Sequence, residues 1–492
     1  MAPVVAAIAY LSAGIWIASH FATWTDEEYT LATTAHGAAY AIRRAIDYEL
    51  QAPLYFAVLA VWRLVDPSVA FARLFSLLCA AAFFFALVAV GRRVAPSVNP
   101  LPFALLVATN PFVLKAAFEI RLYSLALALS AISWLTFWQA FLQAKTDVRW
   151  RVAFVASSIV SISTLYFLAF ALPGYLALLV VRRARSLRAF AICAAIVVCA
   201  AIPLLLIARL QMGGYDAAGP PLQAVLRAVA VRPWLDFLFP TFSRWADIDW
   251  IHAVYHVVVC VSLALILLGI RNWDRTVLGY LACAVAIEAT YLAMVLVLRL
   301  NLDARYFVTL FLPEMVAAYA IFVATIRGPQ PYLALGFVPV LLSLLVAFEQ
   351  NHFLAESGDW KHVAAFLDRN AGAGDAIAIY PPDALPAFER QYRGTVPVAA
   401  FPRPPSQDRY SVRALGVTSE DETRRALIAL GARRHIWLVD SIRCVREMPQ
   451  FGCDKVSHVA TQAPQARQIQ FFENRIFEID PALLGGRPEP HA

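Results

Sequence analysis

The chain has 492 residues, of which 61% are hydrophobic and 15% charged, and 41 basic residues against 34 acidic ones leave a net charge of +7. Soluble domains carry roughly 25% charged residues, so the composition excludes a soluble globular enzyme, a disordered chain and a disulfide scaffold. It describes a multi-span α-helical membrane protein, and apolar runs of helical length exclude an outer-membrane barrel, whose strands alternate every second residue.

Crossing the hydrocarbon takes about 20 apolar residues. Eleven spans are predicted, at 4–22, 71–90, 101–117, 122–142, 152–167, 168–181, 189–208, 251–270, 276–298, 306–326 and 332–348. The first lacks a basic leader and reads as an uncleaved span rather than a signal peptide. The uncharged stretch 152–181 is too long for one crossing and short for two, which predicts a tight hairpin near Thr164–Phe167. Every second loop is basic: Arg92 and Arg93; Lys145, Arg149 and Arg151; Arg182, Arg183, Arg185 and Arg188; Arg271 and Arg275; Arg327. The positive-inside rule puts these loops in the cytoplasm. The N-terminus is then cytoplasmic, the C-terminus lies outside, and the expected location is a bacterial inner membrane. The basic surplus is thus a topology signal. A nucleic-acid partner would need a basic, aromatic face on one soluble module, and none is visible.

Three parts are not spans. Residues 23–70 form an outer loop whose apolar piece 53–65 is too short to cross and reads as an interfacial helix. Residues 209–250 form a second outer loop, with Gly213, Gly214, Gly219, Pro220 and Pro221 and the boundary tryptophans Trp234, Trp245 and Trp250. It reads equally as a lid that orders over substrate or as a plain interfacial loop. Residues 350–492 follow the membrane domain (1–349) as a soluble outer α/β domain, with a helix over Asp359–Asn370 and strands over Asp375–Tyr380, His435–Asp440 and Gln468–Ile479. The seven cysteines form no CxxC pair. Cys444 and Cys453, in the oxidising outer compartment, are either bridged or two thiols.

Ionisable residues gather on the outer face. Thr25-Asp26-Glu27-Glu28-Tyr29 leaves the first span with three acids in a row. It is either a solvated acidic exit or a partly buried carboxylate whose basicity suits proton abstraction or metal binding. Lys115, Glu119, Arg121 and Tyr123 mark the turn between the third and fourth spans, and Arg299, Asp303, Arg305 and Tyr306 open the tenth. Outer arginines run against the orientation rule. They pair with local acids or grip a lipid phosphate. An acid to deprotonate a hydroxyl and an arginine to hold a phosphate are the minimum needed to move a sugar off a lipid phosphate. Asp26, Glu27 and Glu28 could also ligate magnesium or manganese through oxygen. His252 and His256 lack a third ligand and read as interfacial histidines.

The order of motifs resembles the bacterial polyprenyl-phosphate-dependent glycosyltransferases with the type C fold, the group of the protein O-mannosyltransferases and the aminoarabinose transferases that modify lipid A. The matching residues are Asp26-Glu27 with Tyr29, then Gln51-Ala52-Pro53-Leu54-Tyr55-Phe56, Arg73-Leu74-Phe75-Ser76 and Gly91-Arg92-Arg93. Pro111-Phe112 with Glu119, Arg121, Tyr123 and Ser124 follows, then Ala304-Arg305-Tyr306 and Asp359-Trp360. Two positions depart. Gln51 stands where the family has a His or Lys facing the donor phosphate, and Leu165-Tyr166 stands where a His-Tyr pair is common.

The resemblance implies a sugar linked to a polyprenyl phosphate as donor, and a hydroxyl on a lipid, polysaccharide or protein as acceptor. It implies inverting transfer with Asp26 as base and Glu27 orienting the acceptor or holding a cation. Arg305, Arg121, Lys115 and Tyr306 would face the phosphate. Tyr29, Gln51, Pro53, Tyr55, Glu119 and Tyr123 would line the pocket. A covalent, retaining route would use Glu27 as nucleophile. Three rivals remain. A transporter or flippase calls for paired half-sequences, and the chain has no repeat. A ligase or polymerase acting on polyprenyl carriers does not call for the early Asp-Glu loop and the outer domain together. A non-catalytic assembly factor would not need Asp26, Arg121 and Arg305.

Overall fold

The computed structural model describes residues 22–143, 147–212, 273–298, 304–325, 359–404, 411–445, 451–462, 467–471 and 474–484, together with scattered residues between 4 and 16. The predicted spans 251–270 and 332–348, the Gly/Pro-rich loop from residue 213 onward, His252, His256, Arg299 and Asp303 lie outside them.

Among the described residues five helices are long and apolar enough to cross a membrane: Val69–Val94, Tyr123–Phe141, Leu187–Gln211, Arg275–Leu298 and Arg305–Thr325. The chain is a multi-pass membrane protein, although these helices do not number eleven. The predicted span 101–117 is not one rod. It is two helices, Leu101–Ala108 and Pro111–Phe118, bent by 65°. Pro111 has no N–H to give the preceding turn, and Asn110 starts the second helix by accepting from the Phe112 N–H at 2.9 Å. At the expected hairpin, helix Val148–Thr164 ends at Leu165 in an extended conformation. The chain resumes as a 3-10 turn, Tyr166–Phe170, and then helix Ala171–Val181.

Inside the bundle, Trp134, Phe137, Phe154, Tyr175 and Phe190 are buried against one another, with Phe137 stacked on Tyr175 at 4.2 Å between ring centroids. Gly174 brings helix Ala171–Val181 onto helix Arg275–Leu298: a Cβ there would stand 2.9 Å from the Cys283 carbonyl oxygen. Small residues at such crossings stand in for the hydrophobic drive that lipid removes.

The loop 23–70 is three short helices: α1 (Thr25–Thr33), α2 (Ala38–Asp47) and α3 (Leu54–Trp62). At nine residues α3 cannot span.

The C-terminal domain, called outer after the side that the loop charges predict for it, has a five-stranded sheet: β1 (Ala376–Tyr380), β2 (Val398–Ala400), β3 (Ile436–Asp440), β4 (Arg467–Gln470) and β5 (Arg475–Ile479), in the order β2-β1-β3-β5-β4. β1 pairs parallel with both β2 and β3, while β5 runs antiparallel to β3 and β4. β1 and β3 are buried at every position, as parallel strands covered on both faces must be. The single strand expected over 468–479 is corrected to a hairpin: the chain reverses where the Phe471 N–H meets the Asn474 carbonyl at 2.8 Å. Cys444 and Cys453 form a disulfide, with Cα atoms 5.1 Å apart.

Candidate active site

α1 carries Asp26, Glu27 and Glu28 in its first turn, where the positive end of the helix dipole favours acids. Successive helical side chains point about 100° apart, so three acids in a row cannot face one way. Each has its own partner. Asp26 Oδ2 accepts from Arg305 Nη1 at 2.7 Å. Glu27 is held by Arg73 of helix Val69–Val94, at 3.0 to 3.3 Å across both oxygens. Glu27 also accepts from the Ile120 N–H at 2.9 Å and the Trp24 N–H at 3.3 Å. Glu28 is gripped by both Nε and Nη2 of Arg390, which stands on the outer-domain helix Leu385–Gln391. The solvated acidic exit is therefore ruled out. The common metal set of Asp26, Glu27 and Glu28 is also corrected: their carboxylates diverge, and no three His, Cys, Asp or Glu side chains converge as a metal site among the described residues.

Arg121 lies beneath Asp26, almost wholly buried. Its Nη1 donates to the Asp26 carbonyl at 3.1 Å, to Thr30 Oγ1 at 2.8 Å and to Glu49 Oε2 at 3.3 Å, and its Nη2 stands 4.0 Å from Asp26 Oδ2. Glu49 also accepts from Thr33 at 2.8 Å. Burial would raise the Asp26 carboxyl, but Arg305, Arg121 and Arg443 outweigh it and bring it down to about 2. For Glu49 burial prevails over Arg121 and Thr33, and its carboxyl is raised.

Arg305 is the more open arginine, with 28% of its side chain exposed. It comes from the turn Ala304–Phe307 and lies over the Trp24 ring at 5.4 Å and the Tyr306 ring at 5.8 Å. Lys115 pairs with Glu119 at 3.6 Å and also faces Trp24, at 5.9 Å. Tyr306 accepts at its carbonyl from the Tyr291 hydroxyl at 2.6 Å. Tyr123 is buried within electrostatic reach of Arg305, Arg121 and Asp26. Tyr55, on α3, is buried within reach of Arg121, Glu27 and Glu49. Tyr29 packs edge-on against Tyr48, with centroids 5.4 Å apart.

The structure thus brings Asp26, Glu27, Tyr29, Tyr55, Lys115, Glu119, Arg121, Tyr123, Arg305 and Tyr306 into one neighbourhood. Gln51 and Pro53 sit at the turn between α2 and α3. Gln51 bonds through its backbone, to the Ala45 carbonyl at 3.0 Å and from Gln211 Nε2 at 3.3 Å, and its buried side-chain oxygen has no partner among the described residues. Pro53 caps α3. Sequence reasoning missed Glu49, which stands alone two residues before Gln51. It also missed the outer-domain residues Asp383 and Arg443. Both directly follow parallel strands, where open α/β sheets present ligand-binding loops. That signal was available once the strands were drawn.

No protein-family model matches the chain, and no curated protein matches it by sequence. By fold it is similar to the crystal structure of ArnT from Cupriavidus metallidurans in the apo state: TM-score 0.55 and 13% identity, covering 98% of this chain and 99% of that one. A crystal structure of ArnT from the same organism bound to undecaprenyl phosphate matches at a TM-score of 0.45 and 14% identity, over 98% and 99% of the two chains. The chain has the ArnT-like type C glycosyltransferase fold.

Proposed function

We propose that this protein transfers a sugar from a polyprenyl-phosphate donor to an acceptor hydroxyl on the outer face of the bacterial inner membrane. The N-terminus would be cytoplasmic and the outer domain periplasmic, following the basic loops. The observation that carries the proposal is the Asp26–Arg305 pair at 2.7 Å, between the membrane helices and the outer domain of an ArnT-like fold. Carboxylate and guanidinium are the two groups the reaction needs, and both are held in place before substrate arrives.

In this reading Asp26 accepts the proton of the acceptor hydroxyl as its oxygen attacks the anomeric carbon, and the sugar–phosphate bond breaks toward the arginines. A carboxylate brought down to about 2 is a weak base. The donor corrects that. Its phosphate competes for Arg305, whose planar fork suits phosphate oxygens, and Asp26 regains basicity as its partner turns away. Donor binding thereby readies the base. Arg121 stays bound to Glu49, Thr30 and the Asp26 backbone, so it supplies a fixed positive field under the developing charge. Lys115 and Tyr306 border Arg305 on the phosphate side. Without a cation at position 51, the phosphate depends on Arg305 and Lys115. Glu27 is saturated by Arg73 and two backbone N–H groups, which supports single-displacement, inverting transfer over a covalent intermediate on Glu27.

Envelope mass spectrometry of a strain carrying Asp26→Asn in place of wild type tests this. Lipids, lipid A, polysaccharide and secreted proteins are profiled at matched amounts of folded protein. The expected result is loss of one sugar-sized mass from one fraction. An unchanged envelope in the variant beside an altered one in the gene deletion would sink the assignment of Asp26 as base. Arg305→Ala with full transfer would sink the phosphate assignment.

A further inference from the structure

The membrane half of the site faces a pair of charged residues from the outer domain. Asp383 follows β1 and Arg443 follows β3, so both sit at the carboxyl ends of adjacent parallel strands. Arg443 Nη1 stands 2.5 Å from Asp383 Oδ2. Asp383 is buried near the Tyr29 hydroxyl, with Tyr48 and Asp26 within electrostatic reach. Arg443 is within electrostatic reach of Asp26, and its guanidinium lies 4.9 Å over the Phe451 ring. The segment Ser441–Val445 that carries Arg443 is tied to helix Cys453–Gln462 by the Cys444–Cys453 disulfide.

Asp26 therefore has two different sides. Toward the membrane helices it meets Arg305 and Arg121. Toward the outer domain Asp383 and Arg443 lie within its electrostatic reach. The prenyl chain of a donor belongs among the membrane helices, and its phosphate belongs with Arg305. The outer-domain side then remains for the molecule whose hydroxyl Asp26 deprotonates. A carboxylate beside a guanidinium offers acceptors and donors together, which suits a polar head group carrying several hydroxyls.

Resting on the function proposed above, we infer that Asp383 and Arg443 bind the acceptor's polar head group and present its hydroxyl to Asp26. The outer domain is then half of the active site, and it selects the acceptor while the membrane domain selects the donor.

The test separates the two substrates. Purified full-length protein in nanodiscs is titrated with undecaprenyl phosphate as the donor-side probe, and the same variants are scored for envelope product by mass spectrometry in a gene-deleted strain. Asp383→Asn and Arg443→Ala are expected to cut product per folded protein at least tenfold, with the Kd for undecaprenyl phosphate within twofold of wild type. Arg443→Lys should recover part of the product, and Arg305→Ala should weaken the probe at least tenfold. Asp383→Asn is nearly isosteric and decides the matter if Arg443→Ala does not fold. Wild-type product from Asp383→Asn overturns the inference, as does loss of probe affinity equal to that of Arg305→Ala. Unchanged probe affinity in Arg305→Ala instead overturns the donor assignment, a separate failure.

Discussion

Asp26, Glu27 and Glu28 are three adjacent acids with three fates, and substitutions should tell them apart. Glu27 is fully buried against Arg73. Glu27→Ala leaves that arginine short of its counter-charge, at a cost of about 3–5 kcal/mol. The expected outcome is little folded protein on size-exclusion chromatography and a clear drop in Tm. Asp26→Asn keeps an oxygen for Arg305 and should fold with a far smaller change, while product falls by roughly 10²–10⁴. A Glu27→Ala protein that folds like wild type would contradict a structural role for Glu27. The acidity of Asp26 sets two pH windows. Its folded value lies below the ordinary 3.8, so it stabilises the fold above that pH, and the contribution is lost as pH falls from 3.8 toward 2. Acid unfolding of Asp26→Asn should be correspondingly flatter in this window. If donor phosphate draws Arg305 away, the acid limb of kcat, which reports the complex, should lie at higher pH than that of kcat/KM, which reports free enzyme. Coincident limbs would contradict the exchange of partners.

At the scale of elements, apolar run length and Pro/Gly punctuation located most helices, and they failed where one residue redirected the chain. The run 101–117 is apolar apart from Thr109, Asn110 and Lys115, but Asn110-Pro111 divides it. Asn110→Ala removes a cap and should cost about 1 kcal/mol, read as a lower Tm of the whole protein. In the outer domain β1 and β3 were legible as short continuous apolar runs. β2, only three residues long and directly after Pro397, was too short to register. Asp375 closes the turn into β1 by accepting from the Gly372 N–H at 2.8 Å, the His435 N–H at 3.1 Å and Trp437 Nε1 at 3.1 Å. Its replacement by alanine leaves donors without an acceptor and should cost about 3 kcal/mol, seen as early protease cleavage within 359–404.

For the whole molecule, what matters is how the outer domain is held. Glu28 and Arg390 join it to the helix that bears Asp26. The arginine is 42% exposed, so solvent screens the pair, and a double-mutant cycle on Glu28→Ala and Arg390→Ala should give a coupling of only about 1 kcal/mol. The effect on exchange should be larger than the energy: amide hydrogens in Thr25–Thr33 and Leu385–Gln391 should exchange faster together in either single variant. Independent changes in the two helices would mean that the pair does not dock the domain.

The sequence by itself determined the membrane character and the C-terminal α/β domain, and it nominated the residues from which the site is proposed. Apolar run length, strand periodicity and the sign of loop charges are local quantities, readable from neighbours in the chain. It also marked Asp26, Arg121 and Arg305, because charge at the edge of a span is conspicuous. Only the tertiary structure decided which acid faces which arginine. Glu27 meets Arg73 46 residues away, Asp26 meets Arg305 279 away and Glu28 meets Arg390 362 away. Such pairings depend on where helices cross and on the 100° step between successive side chains, and no window along the chain contains both partners.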